Sequence, residues 1–144
     1  MEKIIQEKIS ADHLLYVSLK YTKTTDVILN LLERWKSMIE VAIDKILEKA
    51  KKKKTISSIP PAPKLKIDKI KELYKKNPII MKTIEELEFF KRVERLEKMR
   101  ENEFRKNVAL KVLDQGKWVV VDMDKLKEYS ALLENFISSL KQIL

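Results

Sequence analysis

Three sets of side chains in this chain have the types and spacing to do chemistry. The largest runs from Lys45 to Lys76. It holds Lys45, Lys49, Lys51, Lys52, Lys53, Lys54, Lys64, Lys66, Lys69, Lys71, Lys75 and Lys76, opposed only by Glu48, Asp68 and Glu72. The surplus within this segment equals the net charge of the whole protein, +9, so acids and bases cancel everywhere else. Clustered cations attract a phosphate backbone by releasing its counterions, and they need no contact with the bases. The segment contains no arginine and only Tyr74 as an aromatic, so it is poorly equipped to read base edges or stack on bases. The lysines from Lys49 to Lys76 are therefore candidate contacts to an RNA or DNA backbone. Two plainer roles compete: cations complement the dipole at a helix C-terminus, and a charged face keeps a protein soluble.

The second set is Arg100-Glu-Asn-Glu-Phe-Arg-Lys-Asn107. A helical chain with a late arginine and a polar residue shortly after it resembles the HEPN family, small helical proteins that include RNases. The family motif is an arginine followed within a few residues by a histidine, and two copies commonly meet across a dimer. The resemblance implies that Arg100, with Arg105 nearby, contacts a phosphate and that position 107 carries the base. Position 107 is Asn, and an amide cannot take up a proton near neutral pH, so no catalytic residue is assigned. The third set is His13, the only histidine, beside Asp12. Adjacent residues do not share a helix face, so Asp12 is not placed to orient the ring, and His13 is expected in a first helical turn, partly covering the core.

Other chemistries lack their residues. No Gly-rich phosphate loop, dinucleotide fingerprint or nucleophile elbow occurs. Without cysteine there is no disulfide frame and no thiolate zinc site, and no acids cluster to hold a metal. No cofactor and no metal are expected.

These residues must be positioned by helices. From Leu14 to Ala50 there is no Gly or Pro, and Ile28, Leu32, Trp35, Ile39, Ala42 and Ile46 step by four and three. The same register runs back through Leu14, Ser18, Tyr21 and Thr25. Two readings survive, one long helix over about 10–51 or two helices breaking near Thr24. The single long helix is favoured, and at about 1.5 Å per residue it implies an elongated or dimeric particle. Residues 4–54 form this first block, and 45–76 form a basic hinge. Thr55 to Pro63 is a proline crossover, after which Asp68 opens a short helix.

Asn77-Pro78 caps a second helical block over 78–104, with i,i+4 pairs Glu88–Arg92 and Glu94–Lys98. After Arg105 the period shortens to two, and Asp114-Gln115-Gly116 marks the turn of a hairpin over 107–122. A lone hairpin needs a surface, so this one should lie on the helices or pair with a second chain's hairpin. Asp122 or Asp124 caps a last helix, 124–143, antiparallel to the first.

Few glycines and prolines, 44% hydrophobic and 37% charged residues suit one mainly α domain spanning 1–144. The expected fold is a helical bundle with a long first helix and one C-terminal β-hairpin before the last helix. No apolar run reaches the roughly 20 residues of a membrane span and no signal peptide is evident, so a soluble, cytoplasmic protein with no membrane partner is expected. The leading expectation for function is non-catalytic association with an RNA or DNA backbone. The alternatives are an adaptor that forms a homodimer or binds a protein partner, and a HEPN-like RNase.

Overall fold

The first helical block comes apart in the stretch Thr22-Lys23-Thr24-Thr25, and the helix breaks across Thr22–Thr24. Branched threonines lose rotamer freedom in a helix, and their hydroxyls compete for backbone bonds. The computed structural model describes residues 1–144. Before the break, α1 (Glu2–His13), a π-helical turn (Leu14–Ser18) and α2 (Leu19–Tyr21) follow one another as a continuous rod. Its buried residues are Ile4, Ala11, Leu15 and Leu19. Steps of four between Ala11, Leu15 and Leu19 stay on one face because the π turn is wider than an α turn.

After the break, α3 (Thr25–Lys52) starts on Thr24, whose hydroxyl accepts the Val27 N–H at 3.4 Å. The single long helix is thus replaced by a helical hairpin. Glu7 of α1 meets Arg34 of α3 at 3.4 Å, so the two run antiparallel, and the basis for an elongated particle disappears. The expected seam of α3 is real, since Ile28, Leu32, Trp35, Ile39, Ala42 and Ile46 are all buried.

The crossover is non-helical to Ala62, and α4 (Pro63–Leu73) begins on Pro63 rather than at Asp68, using proline at the first helical position. In α5 (Pro78–Val93), Asn77 accepts the Ile80 N–H at 3.2 Å, as the Asn-Pro pair suggested. This helix ends at Val93, well short of residue 104. The segment assigned to its C-terminal end contains a strand instead, β1 (Lys98–Glu101). It joins β2 (Ala109–Asp114) and β3 (Lys117–Val121) in a three-stranded antiparallel sheet, order β1-β2-β3. The hairpin is present, with Gln115 and Gly116 both at positive φ, 54° and 79°. That pair of left-handed residues matches the twist of the flanking strands.

The last helix, α6 (Met123–Ile143), is capped by Asp122, which accepts the Lys125 N–H at 2.9 Å. Tyr129 packs on Trp35, and Ile143 lies by Ile46, so α6 runs parallel to α3, which holds most of the expected long helix, and not antiparallel to it as expected. Only the short α1 runs antiparallel to α6. Trp35, Phe90 and Tyr129 form an aromatic cluster with centroids 5.1–6.2 Å apart, tying α3, α5 and α6 together. Leu110, Val112 and Val121 turn the inner face of the sheet into the same core. The expected i,i+4 pairs on α5 give way to longer-range ones. Arg92 grips Asp114 with two bonds of 2.9 Å, Glu88 takes Lys71 at 2.9 Å, and Glu94 takes Lys36 at 3.6 Å. No helix is long and apolar enough to cross a membrane.

Candidate phosphate-binding end of the bundle

The twelve lysines of the basic segment separate into three groups once the chain folds. Lys45, Lys66, Lys69 and Lys71 are neutralised by Glu48, Asp44, Glu72 and Glu88 at 2.9–3.5 Å. Lys64, at the start of α4, is exposed on the flank without an ion pair. Lys49, Lys51, Lys52, Lys53 and Lys54 lie at the C-terminus of α3, and Lys75 and Lys76 follow the C-terminus of α4. None of these seven has an acidic partner within ion-pair distance, and Lys51–Lys54 are all exposed.

The two sets of free lysines meet around Tyr74. A cleft of about 220 Å³ is lined by Lys49, Lys53 and Thr55 on one side and by Leu73, Tyr74 and Ile143 on the other. A neighbouring depression of about 300 Å³ shares Tyr74 and is walled by Lys75 and Lys76. Burial raises the Tyr74 phenol above its usual pKa, and its O–H is a donor at neutral pH in any case. Lysines and a phenol line the cleft with no acid among them, while Glu72, paired with Lys69 at 3.3 Å, borders the neighbouring depression.

The end of α3 is closed by a six-residue hydrogen-bonded turn. The Thr55 N–H donates to the Ala50 carbonyl at 2.9 Å, and the Lys54 N–H donates to the Lys51 carbonyl at 3.0 Å. This is the Schellman pattern, in which the residue at Lys54's place is left-handed and most often glycine. Lys54 sits there at φ 62°. A non-glycine residue in that region carries strain.

Arg100 and Asn107 are placed differently. The Arg100 guanidinium donates to Asp26 at 2.7 Å and to the Thr25 hydroxyl at 2.9 Å. Glu103 takes the Thr25 N–H at 3.3 Å and the Thr25 hydroxyl. The Glu103 carboxylate covers the positive N-terminus of α3, and the Arg100 guanidinium beside it is neutralised by Asp26. The Asn107 carbonyl accepts from the Asn102 side chain at 3.2 Å, within a loop where Asn102 and Phe104 both have positive φ. Arg105 is exposed and lies in that loop. His13 sits in the last turn of α1, not a first turn, and is exposed. It lines a broad groove between α1 and α3 with Ser10, Asn30 and Arg34, and its nearest side-chain partner is the Ser18 hydroxyl at 3.5 Å. Asp12 is taken up by Lys8 at 2.7 Å. No three His, Asp or Glu side chains converge as a metal site.

Sequence reasoning missed the Glu103 cap and the strand around Arg100. It noted Tyr74 only as an isolated aromatic. Comparison with family models, curated proteins and solved structures finds no match to this chain.

Proposed function

We propose that this protein binds the phosphate backbone of RNA or DNA, without catalysis, through the lysine-bearing end of the bundle. The observation that carries the reading is the sorting of the lysines. Four are neutralised along the flank, while Lys49, Lys51–Lys54, Lys75 and Lys76 stay unpaired and gather about Tyr74. Such a surface tolerates any sequence, because phosphates are the same along the strand. Lys54 adds one more cation to this end, at a left-handed position where glycine would fold more easily.

A salt-dependent titration against RNA, single-stranded DNA and duplex DNA tests it. Engagement of all seven lysines gives a slope of log K against log salt of up to about −6 for duplex DNA. A slope near zero at every salt concentration overturns the proposal. The HEPN-like alternative predicts metal-independent RNA cleavage that Arg100→Ala abolishes. It ranks lower because Asp26 and Thr25 already hold the Arg100 guanidinium. The adaptor alternative is favoured by a separate feature, the open edge of the sheet.

A further inference from the structure

Strand β3 pairs with β2 on one side and with nothing on the other. Proteins usually blunt such an edge with proline, a bulge or an inward-pointing charge. Lys117-Trp118-Val119-Val120-Val121 has no proline and no charge within its last four residues. Trp118 and Val120 are 43% and 41% exposed on the outer face. The two-residue turn closes on the Asp114–Lys117 pair, and hydrogen-bonded pairs alternate from there. Lys117, Val119 and Val121 therefore bond to β2, while Trp118 and Val120 direct their backbone N–H and C=O groups outward.

We propose that this edge is an interface for a second copy of the chain, paired antiparallel about a two-fold axis at Val119. In that register Trp118 exchanges both backbone bonds with the partner's Val120, and the symmetric pair does the same. All the outward groups of Trp118 and Val120 are then satisfied. Each indole lies beside a valine, a favourable cross-strand combination.

Charge on the rest of the molecule permits the pairing. The sheet lies at the N-terminal end of α3, where Arg100 and Glu103 hold Thr25, and the free lysines lie at its C-terminal end. The 28 residues of α3 separate them by roughly 42 Å. Each basic end therefore lies far from the proposed interface. The other edge, β1, carries Lys98, Arg100 and Glu101, and a β1–β3 contact would propagate instead of closing. Two five-residue edges bury less than a standard interface of about 1,600 Å², so the dimer is weak and concentration-dependent.

The test is sedimentation of the full chain over a concentration series reaching about 1 mM. The expected result is a monomer–dimer equilibrium. Val120→Pro removes an outward N–H from each copy, is compatible with an edge strand, and weakens dimerisation about thirtyfold. Trp118→Lys with Val120→Lys, which leaves the backbone groups intact, weakens it through like charges. The chain has no cysteine, so Val119→Cys gives a single reporter. It should oxidise to a covalent dimer, because facing residues of a non-hydrogen-bonded pair stand about 4.5 Å apart. Val120→Cys, about 8.5 Å from its copy in this register, should not. A chain that stays monomeric throughout overturns the proposal. So does a dimer unaffected by a folded edge variant, or equal cross-linking at positions 119 and 120. If Val120→Pro fails to fold by circular dichroism, the lysine variant and the cysteine pair decide.

Discussion

Two triple substitutions that remove the same charge separate local phosphate binding from the pull of net charge. One set is Lys51→Gln, Lys52→Gln and Lys53→Gln, all exposed and unpaired at the end of α3. The other is Lys66→Gln, Lys69→Gln and Lys71→Gln, which are tied to Asp44, Glu72 and Glu88. Each lost duplex-phosphate contact reduces the salt slope by about 0.9, so the first set should lower it by up to about 2.7. Between about 50 and 200 mM salt this corresponds to roughly a fortyfold smaller loss of affinity. The second set should change the slope little, because those ammonium groups are already neutralised, and should cost at most about 1 kcal/mol of stability per exposed pair. Fluorescence anisotropy with labelled duplexes of two unrelated sequences reads both effects, and thermal melts confirm folding. Equal changes in slope for the two sets would refute the local reading.

Lys54→Gly should raise stability by about 0.5–1 kcal/mol by relieving its left-handed backbone, while weakening nucleic-acid binding; thermal melts and the same titration check the two signs. Glu103→Ala should cost about 1–2 kcal/mol by uncovering the N-terminus of α3, read by chemical denaturation, and a loss below about 0.5 kcal/mol contradicts its capping role. Burial raises the Tyr129 phenol above its usual value of 10.0, with Glu86 adding to the effect. The unfolded chain then loses this proton first, so its contribution to stability is intact below about pH 10 and is lost as pH rises beyond it, at up to about 1.4 kcal/mol per pH unit. Tyr129→Phe should flatten that alkaline limb in denaturation curves, leaving stability near neutral pH almost unchanged.

The helical seam of α3 was legible because burial imposes a period that survives in the residue pattern. The break at Thr22–Thr24 was only half legible. The threonines marked it, yet the register through Leu14, Ser18, Tyr21 and Thr25 argued for continuity. Glu103 bonds to Thr25 from far along the chain, and no local pattern reports such a partner. Strand β1 was illegible for a related reason. Lys98-Met-Arg-Glu101 has little strand character of its own, and it becomes a strand by pairing with Val112, Lys111, Leu110 and Ala109. The lysine cluster was plain as composition, but its division was not, since Asp44 and Glu88 lie outside the segment they neutralise.

Helix dipoles sharpen what that division means. The C-termini of α3, α4 and α6 gather at the lysine end, as Lys53, Tyr74 and Ile143 around one cleft show. Each contributes roughly −0.5 of an elementary charge, so about 1.5 positive charges are enough to complement all three. Seven unpaired lysines stand there, which leaves several charges with no partner inside the molecule. Solubility alone does not require them to be adjacent, and adjacency costs mutual repulsion. A polyanion removes that repulsion and gains a contact at each lysine. Under the proposed function, this repulsion is what a bound phosphate backbone would relieve at the lysine end.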